Sequence, residues 1–427
     1  MNGWAPTPAL GRATVVAAVG LVGAALTGSP ALVVMASSFV LPVLMGLLGG
    51  PDVDPRIVPR LGLVRLHEGQ GTTSTLEIVD GDAVEQVTRV QTRAAYVATV
   101  PASGAMAVPM DRADARVIAL TPRRWGRRNV GDEQVALTSA WCGYRWGPER
   151  MPAQQLTVWP QAAAYDSTAE APQPDGLVGA HRSRRVGSGT EFAGIRPFGP
   201  GDRLRRISWP VSLRTGELQV VTTRAEQDAS VLVVVDALRD IGVSGGVDGR
   251  ASSLDLTVRA ASALSDHHIR RGDRVGLRVV GPRDVRVPLG SGPRHLHRLT
   301  GTLARVLPDT SPMTADSLEL GVTGDCIVYV LSTMLHAPLV AATALLSARG
   351  VSVVVIDTLG ERAMDEIGGP TSAAGLAWRM RILERSSLLD RLAALGCPVV
   401  TWRGPGTVDE VLRQQQQRQQ LPRVRNR

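Results

Sequence analysis

The side chains best placed for chemistry are Asp236 and Asp240, in the run Asp236-Ala-Leu238-Arg-Asp240, and the pair Ser332-Thr333. Each group follows an apolar, β-branched run. It is therefore expected at the carboxyl end of a buried strand. Two acids and two hydroxyls are a sparse set, and the preferred expectation is a degenerate sheet edge with no bound metal. His267 and His268 are adjacent rather than three or four residues apart, so they cannot chelate from one helix face; a solvated helix end is expected. Gly187-Ser-Gly and Gly290-Ser-Gly292 make turns but complete neither a phosphate loop nor a G-x-G-x-x-G. The chain contains no lysine, which removes a Walker lysine, a Schiff base and a Ser-Lys dyad. Cys142, Cys326 and Cys397 are far apart and form no C-x-x-C; Cys326 and Cys397 each open an apolar run and read as small core residues. No H-E-x-x-H occurs and no G-x-S-x-G nucleophile elbow is expected. The expectation is a non-enzymatic protein without a cofactor.

The densest group of unusual residues lies outside any apolar run. It reads Gly187-Ser-Gly-Thr-Glu191-Phe192, then Arg196-Pro-Phe198-Gly-Pro-Gly201-Asp202-Arg203-Leu-Arg205-Arg206-Ile207-Ser208-Trp209, and continues through Ser212-Leu-Arg214 to Glu226. A Pro-Gly-Asp turn, fixed charges and one tryptophan suit a folded connector clamped by arginine–carboxylate pairs. Glu191 and Asp202 are candidate partners for Arg196, Arg206 or Arg214.

This segment resembles the membrane proteins grouped as domain of unknown function family 58. Their signature is Gly-x-Gly-x-Glu-Phe, Arg-x-Tyr-x-Pro-Gly-Asp, Arg-x-Ile-Asp-Trp and a following Ala-Arg. The likeness continues through Arg270-Arg-Gly-Asp273-Arg-Val-Gly276-Leu, Arg127 and Leu156-Thr-Val-Trp-Pro160. The resemblance implies an N-terminal membrane hairpin, a β-sandwich and a von Willebrand factor A-like domain. It also implies partnership with a MoxR-type AAA+ ATPase beside a transglutaminase-like membrane protein, in assembly or maturation of other proteins, with no enzymatic activity. Phe198 stands where the family has Tyr and Ser208 where it has Asp. The resemblance implies a Mg²⁺ site of the form Asp-x-Ser-x-Ser after the first strand of that domain, where a hard cation needs several converging oxygens; the stretch from Asp236 to Asp240 lacks both serines, leaving Asp236, Asp240, Ser332 and Thr333 as degenerate candidates.

The elements that must carry these residues follow from patterning. Residues 13–28 and 31–49 are two apolar runs separated by Thr27-Gly28-Ser29-Pro30. Two spans with a tight turn are expected over 1–54. A cleaved signal peptide followed by a single anchor is the alternative. In either case Arg12, Arg56, Arg60 and Arg65 flank the apolar region while the turn is uncharged, which places the body in the cytoplasm. Over 55–165 short alternating runs between Gly, Pro and Asp predict a β-sandwich of about five to seven strands. Residues 166–227 comprise a Pro- and Ala-rich linker and the signature connector. From 228 to 412 apolar strands alternate with helical stretches, which predicts a doubly wound α/β domain. The Gln- and Arg-rich residues 413–427 read as a disordered tail.

The 47 basic residues against 39 acidic ones give a formal charge of +8. The arginines are spread along the chain and only 4% of residues are aromatic, so no nucleic-acid partner is expected. The reading is a two-span membrane protein whose α/β domain docks another protein, with a Mg²⁺-binding adhesion-type module as the rival. Nucleic-acid binding through Arg203, Arg205 and Arg206 is a third possibility, which predicts salt-sensitive affinity.

Overall fold

The computed structural model describes residues 3–111, 116–161, 186–199, 202, 204–224, 230–281, 284–308, 318, 320, 322, 326–360, 372–404 and 407, with backbone alone at 186–193 and 222–224. The chain forms two compact units: residues 1–160 with 246–249, and residues 161–245 with 250–427. The expected linker over 166–179, part of the 166–227 segment, and the tail over 413–427 lie outside the described residues.

The first unit opens with β1 (Ala5–Pro6) and two helices, α1 (Pro8–Thr27) and α2 (Pro30–Leu48). Local sequence sets their ends. The Thr7 hydroxyl accepts the amide of Leu10, prolines occupy the first turn of both helices, and Gly28 at φ 65° closes α1 in the left-handed conformation. A Cβ on Gly20 would come within 2.9 Å of the Ala36 methyl, so the two helices touch through small residues. Pro42 sits inside α2, an interruption that membrane helices tolerate. Both helices are long and apolar enough to cross a bilayer, and most of their side chains face outward; Val15, Val19, Leu26, Val34, Met35 and Leu44 are exposed.

Eleven strands follow among the described residues: β2 (Arg56–Leu61), β3 (Arg65–His67), β4 (Thr72–Val79), β5 (Val84–Gln91), β6 (Val97–Val100), β7 (Ala105–Pro109), β8 (Ile118–Pro122), β9 (Gly126–Val130), β10 (Glu133–Ser139), β11 (Tyr144–Met151) and β12 (Gln154–Trp159). They form sheets ordered β1-β11-β10-β5-β7, β2-β4-β8-β6 and β3-β12-β9. The expectation of five to seven strands is therefore too low. The runs missed are short or polar, such as Arg65-Leu-His67 and Gly126-Arg-Arg-Asn-Val130, and show little apolar alternation. One apolar cluster joins Leu76, Val87, Val135, Leu137 and Trp146; another joins Leu66, Ile118, Leu120, Leu156 and Val158.

The base of the hairpin is tied into this unit. β1 pairs antiparallel with β11, the Thr7 amide donates to the Gly143 carbonyl at 2.9 Å, and Trp4 Nε1 donates to the Val53 carbonyl at 2.9 Å. Gly143 meets Gly46 of α2 so closely that a Cβ on Gly143 would lie 2.9 Å from the Gly46 carbonyl oxygen.

In the second unit, β13 (Val186–Pro197) and β14 (Gln219–Arg224) form an antiparallel ribbon, and between them lies the seven-residue helix α3 (Trp209–Thr215). The remaining elements are β15 (Ser230–Asp236), α4 (Ser253–Arg270), β16 (Arg274–Val280), β17 (Val285–Gly290), α5 (Pro293–Leu303), β18 (Cys326–Ser332), α6 (Ala337–Ala348), β19 (Ser352–Asp357), α7 (Ala373–Ala394) and β20 (Val399–Thr401). Their six strands make one sheet, ordered β17-β16-β15-β18-β19-β20, parallel except for the antiparallel pair β16 and β17. Residues on one face, including Val234, Val328, Val330 and Val355, pack with Leu339, Leu346 and Leu392 of α6 and α7. The helix α4 contacts β15, β16 and β18 and packs on α5. Burial on both faces explains the unbroken apolar run Cys326–Leu331.

Candidate functional site

The strand order reverses between β15 and β18. In an open α/β sheet the carboxyl ends of strands at such a switch point form a natural crevice. Asp236 is the last residue of β15, Ser332 of β18 and Asp357 of β19. Asp236 and Ser332 meet there, with Ser332 Oγ donating to Asp236 Oδ2. Asp236 Oδ1 accepts the amide of Leu238 at 3.0 Å, and Ser332 Oγ accepts the amide of Met334 at 2.8 Å. Burial pushes the Asp236 carboxyl above its usual range, opposed by these hydrogen bonds and by His336; the same burial lowers the pKa of His336.

Asp240 serves a different structure. Its Oδ1 accepts the amide of Leu254 at 3.0 Å, an acid at the amino end of α4 where the helix dipole favours it. Thr333 contributes its carbonyl, which accepts from Arg385 Nε of α7. The guanidinium of Arg385 also forms an ion pair with Asp357, whose Oδ1 accepts the amide of Leu359 at 2.9 Å.

This donor set fits a divalent cation poorly. The described oxygens of Asp236 and Ser332 already accept the chain's own donors, and the second strand-end acid carries a guanidinium as counter-charge. Among the described residues no group of three or more His, Cys, Asp or Glu converges to hold a metal. Sequence patterning singles out neither Asp357 nor Arg385. The available signal for Asp357 is that it ends the apolar run 353–356, as Asp236 ends 231–235; Arg385 is one of several arginines on a long helix.

Two other sequence features change meaning. His268 is buried rather than solvated: its Nδ1 pairs with Asp273 at 2.8 Å and its Nε2 lies 3.3 Å from the Tyr329 hydroxyl, because the α4 face bearing it packs on β18. Contrary to the expectation that no nucleophile-elbow motif is present, the run Gly242-Val-Ser244-Gly-Gly246 fits the G-x-S-x-G pattern. Ser244, however, lies in the irregular stretch between β15 and α4, away from any strand–turn–helix elbow. Cys326 and Cys397 are buried in the sheet's core cluster, whereas Cys142 is exposed.

The connector is organised by its own hydrogen bonds. Arg196 grips Asp202 in a bidentate pair, both distances 2.7 Å, and the Gly199 amide donates to Asp202 Oδ2 at 2.9 Å. The Arg196 pair and this amide hold the Asp202 carboxyl below its usual range, with a smaller contribution from Arg206. Arg206 acts on Asp202 by charge, and Arg196 is the residue that pairs with it. Ser208 is the N-cap of α3 but its hydroxyl makes no capping bond. Ser212 faces the ribbon, its Oγ accepting the Gln219 amide at 2.8 Å. Trp209 is 60% exposed and Leu213 82% exposed, and Arg214 also faces solvent. Glu191 and Phe192 lie on β13 with their side chains outside the described residues, as Gly201 is altogether.

Residues 194–368 match the family described as "Protein of unknown function DUF58". Uncharacterized proteins of Mycobacterium bovis (strain ATCC BAA-935 / AF2122/97) and Mycobacterium tuberculosis (strain ATCC 25618 / H37Rv) are each 30% identical over 190 residues, covering 44% of this chain and 53% of theirs. The chain thus spans about half the length of these curated relatives. Among solved structures, an aerotolerance-related membrane protein from Bacteroides fragilis NCTC 9343 with multiple mutations to serines aligns at 15% identity and a TM-score of 0.24, covering 44% of this chain and 99% of that one. The cupredoxin domain of amoB from Nitrosocaldus yellowstonii aligns at 10% identity and a TM-score of 0.15, covering 24% of this chain and 86% of that one. Overlays at these scores do not establish a common fold.

Proposed function

We propose that this is a membrane-anchored, non-enzymatic accessory protein whose α/β unit docks a protein partner. The carrying observation is the pair of outward-facing apolar helices at the head of a chain whose strand-end polar groups are engaged by its own donors. A module built this way offers surfaces rather than an open reactive centre. On the resemblance carried by the segment 187–226, the partner would be of the MoxR-type AAA+ class, alongside a transglutaminase-like membrane protein, in assembly or maturation of other proteins. The parallel sheet with one antiparallel neighbour strand is compatible with a von Willebrand factor A-like domain. Arg12, Arg56, Arg60 and Arg65 around the apolar helices favour a cytoplasmic body.

A pull-down from solubilised membranes, with the neighbouring reading frames inspected, tests this. Recovery of an AAA+ ATPase dependent on residues 228–412 supports the reading, and recovery independent of them overturns it. The rival, a Mg²⁺-dependent adhesion-type module, draws on the meeting of Asp236 and Ser332 at the switch point. Saturable Mg²⁺ binding that disappears in Asp236→Ala would establish it instead.

A further inference from the structure

We propose that the exposed face of the connector, Leu204, Trp209 and Leu213 with Arg205 and Arg214, is a membrane-interface foot that seats on an anionic lipid surface.

Buried Ser212 fixes which side of α3 meets the ribbon. At about 100° per residue, Trp209 and Leu213 share one flank, and Pro210 and Arg214 point away from the ribbon. All four are exposed, as are Leu204, at 70%, and Arg205 in the preceding turn. A helix this short cannot hold exposed Trp and Leu side chains for its own stability, because they bury nothing within the described connector. Their chemistry matches an interface instead. An indole ring is amphipathic and settles at headgroup depth, leucines enter the acyl boundary, and arginine guanidinium groups reach lipid phosphates.

Charge points the same way. Residues 196–218 carry Arg196, Arg203, Arg205, Arg206 and Arg214 against Asp202 and Glu217, five positive charges and two negative, or +3. Arg196 and Asp202 cancel within that sum, and on the exposed face itself the charged side chains are Arg205 and Arg214, both positive and so complementary to an anionic bilayer. The apolar helices α1 and α2, on the reading that they span, keep such a surface continuously available to the chain, so a weak contact suffices. The other exposed apolar stripe, Leu376, Met380 and Leu383 on α7, has no comparable feature to identify what covers it.

The test uses the full chain in lipid nanodiscs of phosphatidylglycerol or phosphatidylcholine, each doped with lipid bearing a nitroxide near the glycerol. Subtracting the emission of Trp209→Phe from that of the unmodified protein isolates Trp209 from the other tryptophans. The expected result is quenching of this difference emission by nitroxide lipid in phosphatidylglycerol. It should fall by about twofold or more in phosphatidylcholine, in high salt, and in the Arg205→Ser/Arg214→Ser double variant. Leu213→Ser, which retains Trp209, should shift emission to the red and provides a second reading if Trp209→Phe fails to fold. Difference emission quenched by aqueous acrylamide but not by nitroxide lipid overturns the proposal. So does protection that arises only when a purified MoxR-type ATPase is added, which would assign the face to protein docking. Loss of the lipid contact with ATPase recovery intact separates this inference from the proposed function.

Discussion

Arg89 lies in the middle of β5 with no exposed surface, yet every donor of its guanidinium is used. Nε and Nη2 hold Glu133 at 2.9 and 2.8 Å, Nη2 also reaches Ser74 Oγ, and Nη1 donates to the carbonyls of Ser74 and Arg116. Removing one partner leaves a charge stranded in a low-dielectric interior. Arg89→Met should destabilise the first unit by about 3–5 kcal/mol, while Arg89→Met/Glu133→Leu should recover much of that loss; urea unfolding of both variants measures the difference. His267 offers a pH test. Burial, with the adjacent charges of His268 and Arg271, lowers its pKa from 6.5 to about 4. A depressed folded pKa contributes stability above pH 6.5 that is lost as pH falls through about 4. The urea midpoint of the native protein should therefore drop more steeply between pH 7 and 4 than that of His267→Gln. Parallel slopes would show that His267 is not responsible.

At the scale of elements, α3 starts without a working cap. Ser208 occupies the N-cap position but makes no side-chain bond there, and the family resemblance places Asp at this residue. A carboxylate there adds both an acceptor and a favourable charge at the helix amino end. Ser208→Asp should stabilise the connector by about 0.5–1 kcal/mol, read as slower amide exchange over 209–215. The joint between α2 and the β-rich unit depends on missing side chains. Gly143→Val would drive carbon into the Gly46 backbone, already at close approach. It should loosen the hairpin base, seen as faster exchange at Thr7, whose amide is held by the Gly143 carbonyl. Unchanged exchange would mean that the joint is held elsewhere.

On the scale of the whole molecule, the first unit carries a hairpin whose apolar side chains face outward, and the second is built on a six-stranded sheet. The full protein should resist alkaline carbonate extraction from membranes, and a chain beginning at residue 51 should appear in the soluble fraction. Appearance of the full protein in the carbonate supernatant would remove the membrane-spanning reading. The shortened chain should also melt lower, because it loses the pairing of β1 with β11 and the Thr7 bond to Gly143.

Local and periodic information is carried by the chain itself, which is why the two apolar helices and the alternation of strands and helices after residue 228 were legible. Thr7, Pro8, Gly28 and Pro30 even mark the helix ends. Polar strands such as β3 and β9 were not, because a strand stabilised by neighbours need show no apolar alternation of its own. Which charges meet was also undecidable in one dimension: Asp202 had three candidate arginines, and Arg196 is the one that pairs with it, beside the Gly199 amide. The same holds for Asp357 with Arg385 and for Arg89 with Glu133. These last two pairs join residues distant in sequence, and only the packing of sheets and helices brings each buried charge to the partner that makes its burial tolerable.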